Sequence, residues 1–307
     1  VRDGAPSAAC ECPDVDMPIC SPTQVMIKVS HFGLNYADIM ARKGLYNDRP
    51  ELPCVLGYEV VGKITEVGSE VHGFEIDDLV LGFTLFGGYA EYCATEAMGV
   101  VKLGADTNEA EATALGTQYC TAWYSACMMM NLQKGDRVLV HAAAGGVGTA
   151  LVQIAKMKGC EVFGTASAPE KLDYLKEIDV DHPINYKTQD FTAEIKRILG
   201  KDRLDVAFDP IGGSNYKKTN ALLGSGGRMV TFGASEWSAS KGGILDKIKL
   251  AFGFGFMHPI GLLMKSKSVI GVNMLRIGEN KPTYLQTCMK EVYDHYQKGV
   301  LKPKVDS

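Results

Sequence analysis

No uninterrupted apolar run of about twenty residues occurs in this 307-residue chain, so the sequence offers no membrane-spanning helix. No signal peptide is read at Val1. No excess of one charge stands out: 32 Lys and Arg face 36 Asp and Glu, for a net charge of −4, and the basic residues are dispersed. Nucleic acid is therefore not an expected partner. There is no repeat and no low-complexity tract. A nucleophile elbow is also missing, which removes acyl-enzyme hydrolysis. The nine cysteines are an odd number. Most lie inside apolar segments, as Cys54, Cys93, Cys127 and Cys160 do. That is the usage of free thiols in a reducing, cytoplasmic compartment. No four of them are close enough in sequence for a structural zinc site. Cys10 and Cys12 form a C-x-C that reads first as solvated loop, with metal or redox work as the alternative.

What is present is enough apolar residue for real cores, 46% of the chain, and enough length for about two domains. Val1–Pro22 has no period and reads as a loop. From Gln24 to about Met98 the pattern is β-rich with glycine punctuation, including strands at Val60–Val67, Asp78–Phe83 and Gly87–Ala94. Glu109–Met130 reads as one helical segment. Strands then alternate with helices as far as Ser268–Val272, which predicts a doubly wound parallel sheet. The fold class is therefore α/β, a β-rich domain followed by a dinucleotide-binding type of domain. The boundaries are expected at 1–110, with 274–307 returning to it, and 111–273.

The strongest local signal is Arg137–Lys156. Val138, Leu139 and Val140 form a run of the kind buried in a parallel sheet. Gly145, Gly146 and Gly148 make a turn. Val147, Leu151, Ile154 and Ala155 then fall on one face of a helix. Strand, glycine turn and helix in this order suit a dinucleotide: small residues let the backbone approach a pyrophosphate, and the free N–H groups of the helix start favour the anion. Ala143 stands where the first glycine of the usual pattern would be. The alternative is a tight turn with no ligand.

Five segments carry a family resemblance. They are GLNYADIMARKGLY at Gly33–Tyr46, HAAAGGVG at His141–Gly148, FGTASAPEK at Phe163–Lys171, HPINYKTQDF at His182–Phe191 and DPIGGS at Asp209–Ser214. With the domain order, they make the chain from Gln24 to Ser307 resemble the medium-chain dehydrogenase/reductase superfamily. Within it, the segments are similar to the zinc-free quinone oxidoreductase branch and its vesicle amine transport protein 1 (VAT-1) group. The resemblance implies a GroES-like catalytic domain and a Rossmann domain. It also implies truncation at both ends, since family members usually have an extra strand before and a helix and strand after.

Matching the superfamily's zinc site onto this chain puts Asn35, Tyr58 and Thr117 at the places of its Cys, His and Cys ligands. Amide, phenol and hydroxyl are not the thiolate and imidazole donors a tetrahedral zinc needs, so no metal is expected. Without that Lewis acid the acceptor must already be electron-poor, such as a quinone or enone. Asn35 and Tyr36 offer an amide N–H and a phenol O–H to hold its oxygen, and their family counterparts line the quinone pocket. The plainer alternatives are that Asn35 caps the helix after it and that Tyr36 packs in the core. Asp38 reads as an orienting residue in the helix's first turn, and Tyr46 as an ordinary amphipathic tyrosine or a pocket border.

Cofactor choice follows from the end of the second Rossmann strand. An NAD-binding chain usually carries an acid there for the ribose 2′-OH. Here Gly164-Thr165-Ala166-Ser167 offers none before Glu170. Ser167 and Lys171 supply a hydroxyl and a cation that suit a 2′-phosphate, and Tyr186 matches a family tyrosine that closes over it. NADPH is the expected cofactor. The resemblance adds Thr121, Phe232, Gly233 and Asn273 to the residues facing it.

The expected function is zinc-independent, NADPH-dependent hydride transfer to quinones or related conjugated carbonyls. The alternative, which the VAT-1 resemblance implies, is a weakly catalytic or non-catalytic NADPH-binding protein on vesicle or mitochondrial outer membranes. The segment Trp237–Lys267 bears on that choice. Ile248, Phe252, Gly255 and Phe256 fall near helical spacing, and Lys241, Lys247, Lys249, Lys265 and Lys267 flank them. That pattern suits a helix packed on its own domain, a peripheral contact with an anionic bilayer, a lid, or a homodimer contact.

Overall fold

Two kinds of hydrophobic pattern become two kinds of sheet. The computed structural model describes residues 10–46, 48–235 and 258–305. The chain divides into one unit made of Val1–Cys120 with Met274–Ser307 and a second made of Thr121–Asn273.

The first unit is built on an antiparallel sheet of β1 (Gln24–Phe32), β2 (Glu59–Val67), β3 (Leu79–Phe83), β4 (Tyr92–Glu96) and β5 (Val100–Lys102), in the order β4-β1-β2-β3-β5. Val25, Ile27, Val60, Ile64, Val80 and Val100 pack together inside it, while Lys63, Thr65 and Glu66 stay exposed. Such one-sided burial is what an antiparallel sheet permits. Register shifts at Met26/Ile27 and Val29/His31 bend β1 against β2 and curl the sheet. The strand expected at Gly87–Ala94 begins only at Tyr92. Its first residues turn instead: Gly87 has φ +92°, and Tyr89 N–H donates to Leu56 O at 2.8 Å. This loop carries Tyr89 onto Asp38.

Helix α1 (Tyr36–Arg42) follows β1, and α2 (Glu109–Ala114) follows β5. The single helix expected over Glu109–Met130 is broken by wider π turns at Leu115–Tyr119 and Tyr124–Met129, with α3 (Cys120–Trp123) between them. The division between units falls inside α3, ten residues beyond the expected 110/111 boundary. The reason is that α2 and the first π turn pack on β1 and β2 and bond to Glu59, so they belong with the antiparallel sheet.

The second unit alternates β6 (Arg137–Val140), α4 (Gly146–Met157), β7 (Glu161–Ala166), α5 (Pro169–Glu177), β8 (His182–Asn185), α6 (Phe191–Leu199), β9 (Leu204–Asp209), α7 (Gly213–Leu222), β10 (Leu223–Thr231), α8 (Pro259–Lys265) and β11 (Ser268–Gly271). The strands lie parallel in the order β11-β10-β9-β6-β7-β8. Chain order reverses between β6 and β9. That is the switch point outside whose carboxyl edge such sheets bind ligands. Leu139, Phe163, Leu204, Ala207 and Met229 fill the core, which is why these strands read as continuous apolar runs.

The chain then returns to the first unit through α9 (Met274–Asn280) and α10 (Pro282–Gln297). In α10, Leu285, Cys288, Met289, Val292 and Tyr293 are buried at helical spacing. Of the Trp237–Lys267 segment, residues 237–257 lie outside the described residues, and with them Lys241, Lys247, Ile248, Lys249, Phe252, Gly255 and Phe256. Its described end is α8, where Ile260, Leu263 and Met264 are exposed.

Candidate functional site

The second unit carries Gly145, Gly146, Val147, Gly148, Ser167, Tyr186, Phe232, Gly233 and Asn273 beyond the carboxyl ends of its parallel strands. After β6 the backbone enters the left-handed region at Ala142 (φ +50°), a conformation side-chain-bearing residues rarely take. Ala143 is buried, and its N–H donates to Thr165 O at 3.0 Å. Helix α4 starts directly behind. A Cβ on Gly148 would lie 2.2 Å from Ala142 O and 2.7 Å from the Ala143 Cα, so only glycine lets helix and turn approach this closely. Gly145 caps α4 without any side chain over the helix end, and Gly145 and Gly146 are exposed. The first-turn N–H groups of α4 have no intrahelical acceptor, which fits a pyrophosphate.

Beneath the turn lies a polar network that the sequence reading missed. His141 is fully buried, and burial pushes its imidazole down to about 3, so it stays neutral. Its Nδ1 lies 3.1 Å from Thr165 Oγ1 and its Nε2 2.8 Å from Thr219 Oγ1. Thr219 donates its own proton to Asn215 O at 2.9 Å, so Nε2–H is the donor to it and Nδ1 accepts from Thr165. Next along the edge, Asp209 ends β9. Its Oδ1 accepts from the N–H groups of Ile211 at 2.8 Å and Gly212 at 3.2 Å and from Asn215 Nδ2 at 3.2 Å, which pins the turn at the switch point. Burial raises the Asp209 carboxyl above its usual range.

Ser167 follows β7 and is half-buried, and Lys171 is exposed in the first turn of α5. Tyr186 follows β8, and its N–H reaches Ala166 O at 3.1 Å. The strand register Ala166↔Asn185 therefore brings Ser167 and Tyr186 to one corner. That corner holds a further cation, Lys187, whose Nζ lies 5.8 Å from the centre of the Tyr186 ring. Its signal was in the sequence, one residue beyond Tyr186. Phe232 and Gly233 follow β10, with Phe232 N–H on Asp209 O at 3.3 Å. Asn273 follows β11 and is half-buried, and Thr121 is buried in α3.

In the first unit, Asn35 occupies the N-cap position of α1, with extended backbone (φ −118°, ψ 151°). Its N–H donates to Asp38 Oδ2 at 3.0 Å. Its side chain turns elsewhere: Nδ2 donates to Glu59 Oε1 at 2.8 Å, and Oδ1 accepts from Gln118 Nε2 at 3.5 Å. The cap position and a polar site thus coexist in one residue. Tyr36 is 51% exposed, so it does not pack in the core. Asp38 is buried and does orient its neighbours, accepting from Gly57 N–H at 3.1 Å and Tyr89 Oη at 2.7 Å. Burial raises its carboxyl as well. Glu59 is fully buried and also accepts the Thr117 N–H; burial raises its carboxyl to about 7, against the hydrogen bonds from Thr117 and Asn35 that lower it.

Tyr58 is 1% exposed, stacks at a tilt on Phe86 with ring centres 5.1 Å apart, and has no hydrogen-bond partner for its hydroxyl. Burial pushes its phenol up, so it stays protonated. Asn35, Tyr58 and Thr117 together offer zinc no thiolate or imidazole. Among the described residues no group of three or more His, Cys, Asp and Glu is arranged to hold a metal ion.

Two family models match the chain: an alcohol dehydrogenase GroES-like domain over residues 21–107 and a zinc-binding dehydrogenase over 146–290. The chain is 34% identical over 292 residues, 94% of its length, to the synaptic vesicle membrane protein VAT-1 homologs of Danio rerio and Homo sapiens, and covers 60% and 74% of them. It belongs to the medium-chain dehydrogenase/reductase superfamily. A second relative in this superfamily is the quinone oxidoreductase of Homo sapiens, 30% identical over 262 residues, 85% of this chain and 74% of that one. A mycobacterial protein solved in complex with NADPH superposes with a TM-score of 0.81 at 25% identity, covering 94% of this chain and 85% of that one. The superfamily is one of oxidoreductases that bind a nicotinamide cofactor and act on small molecules. Among the described residues no helix is long and apolar enough to cross a membrane.

Proposed function

We propose that this protein is a zinc-independent, NADPH-dependent oxidoreductase that transfers hydride to quinones or related conjugated carbonyls. One observation supports the reading: Asn35, which the resemblance matches to a ligand of the superfamily's zinc, sits in an organised hydrogen-bonding site. Asn35 is held there by Glu59 and Gln118 beside the exposed Tyr36. Such a site binds an oxygen that gains negative charge and needs no Lewis acid when the acceptor is already electron-poor. Bound NADPH would supply the hydride. Gly145, Gly146, Val147 and Gly148 would hold its pyrophosphate. Ser167, Lys171, Tyr186 and Lys187 would hold the 2′-phosphate, with Thr121, Phe232, Gly233 and Asn273 towards the nicotinamide. The likeness to a quinone oxidoreductase and to an NADPH-bound structure supports both halves. A deuterium isotope effect tests it. NADPH deuterated at the transferred position should slow reduction of an active acceptor, and an effect of unity with chemistry rate-limiting would reject direct hydride transfer.

The second reading, an NADPH-binding protein that sits peripherally on a vesicle or mitochondrial outer membrane, draws on α8. Ile260, Leu263 and Met264 are 61%, 75% and 78% exposed there, next to Lys265. Apolar residues bordered by a lysine suit an anionic interface, and the same face suits a homodimer contact. Sedimentation with anionic vesicles separates the two. Loss of binding in Leu263→Ser with Met264→Ser favours the membrane; a change in sedimentation coefficient without vesicles favours the dimer.

A further inference from the structure

Glu59 is no part of the donor pair expected from the sequence, yet the local fold is built around its carboxylate. Gly33 and Gly116 flank it. A Cβ at Gly33 would lie 2.0 Å from Oε1, and one at Gly116 would lie 2.8 Å from the Glu59 Cβ. A side chain at Gly116 would meet the Glu59 Cβ, which cannot swing away, and one at Gly33 would push the carboxylate off its partners. The π turn over Leu115–Tyr119 sets Thr117 N–H against Oε2, and Asn35 Nδ2 meets Oε1 at 2.8 Å. A fully buried carboxylate is tolerated when its oxygens are answered in this way.

We propose that Glu59 is a positioning residue for the acceptor site: it fixes the Asn35 amide with one N–H on Oε1 and leaves the other N–H for the acceptor oxygen. This rests on the reading of Asn35 as an acceptor-binding donor. Counting donors and acceptors carries it. Thr117 N–H is a backbone donor and cannot turn, so the oxygen facing it must accept. Above about pH 7, where Glu59 is ionised, the carboxylate then presents a second acceptor, which draws the amide nitrogen of Asn35 inward and turns its Oδ1 towards Gln118 Nε2. The two amide hydrogens diverge, so the one not held by Glu59 points elsewhere. Asn35 is half-buried between exposed Leu34 and Tyr36, so a ligand can reach that hydrogen. A neutral amide at position 59 reverses the pattern. Its oxygen must face Thr117, its NH2 faces Asn35, and Asn35 must turn its own oxygen inward. The donor is then displaced while the packing is kept.

The test is Glu59→Gln, read as separate kcat and KM values at about pH 8.5, where the wild-type Glu59 is ionised. The expected result is a kcat lowered by about tenfold to a thousandfold, the range for loss of one such donor, with KM for NADPH unchanged. The double variant Glu59→Gln with Asn35→Asp restores a matched pair, since the Gln amide donates to the new carboxylate. It should regain thermal stability and not turnover. Wild-type kcat in Glu59→Gln, or recovered kcat in the double variant, overturns the proposal. If Glu59→Gln fails to fold, hydrogen exchange of the Asn35 side-chain amide in the wild-type protein decides. One slowly and one rapidly exchanging proton are expected; two equal rates overturn it. A wild-type protein that turns over no acceptor refutes the proposed function instead, and that outcome is read without any variant.

Discussion

Replacing Gly148 by alanine separates packing from ligand binding when it is set beside the same change at Gly145. At Gly148 the added methyl would stand 2.2 Å from a backbone oxygen and 2.7 Å from a Cα, neither of which can swing away. The turn and the first turn of α4 must part. Overpacking of this kind costs about 1–3 kcal/mol, and the displaced N–H groups lose their common aim as well. At Gly145 the backbone is already extended (φ −87°, ψ 171°), and the nearest atom to a new Cβ is Ala142 O at 3.2 Å. Alanine there needs that oxygen to give by a few tenths of an ångström and is a poorer N-cap than glycine, which together cost about 1 kcal/mol, less than at Gly148. The methyl would nevertheless stand over the helix end where the pyrophosphate is assigned. Thermal melts and NADPH titration by calorimetry give the two readouts. Gly148→Ala should lower both Tm and affinity. Gly145→Ala should lower Tm less than Gly148→Ala and still weaken NADPH by about tenfold or more, which is about 1.4 kcal/mol. If Gly145→Ala binds NADPH as the wild type does, the pyrophosphate does not lie on this turn.

Three further outcomes follow. Lys171→Ala and Lys187→Ala should each weaken NADPH several-fold and leave NADH nearly unchanged, measured by titration; equal losses for both cofactors would remove the 2′-phosphate from this corner. Glu59 has its carboxyl raised to about 7 in the folded protein, so the native state holds a proton that the unfolded chain releases between about pH 4.5 and 7. Its contribution therefore makes stability fall as pH rises through that window, and Glu59→Gln should flatten this part of a Tm-against-pH curve; an unchanged slope would contradict it. Asn35→Ala should lower turnover by about tenfold to a thousandfold with the fold intact by circular dichroism, and wild-type turnover would reject its role.

The alternation of strands and helices was legible because buried parallel strands must be apolar throughout and their helices amphipathic. Val138–Val140 and Leu151, Ile154 and Ala155 announce both periods. Glycine spacing was legible for the same reason: Gly148 is required by contacts made within a few residues. The elements misread are those set by distant partners. Gly87–Glu91 has a strand's composition but turns to bring Tyr89 onto Asp38. Glu109–Met130 has a helix's composition but widens where Glu59, some sixty residues earlier, takes a backbone N–H. Glu59 itself left one trace, an acid at the head of the apolar run Val60–Val61. His141 left less, because a histidine after a strand says nothing of the Thr165 and Thr219 hydroxyls that fold against it.

Cofactor-dependent reduction without metal is the property that defines this protein's proposed chemistry. Purified protein treated with a chelator should oxidise NADPH in the presence of quinones or conjugated enones and prefer NADPH to NADH by at least about tenfold, roughly 1.4 kcal/mol. Intact NADPH binding with no turnover across the acceptor panel, or turnover abolished by the chelator and restored by zinc, would contradict it.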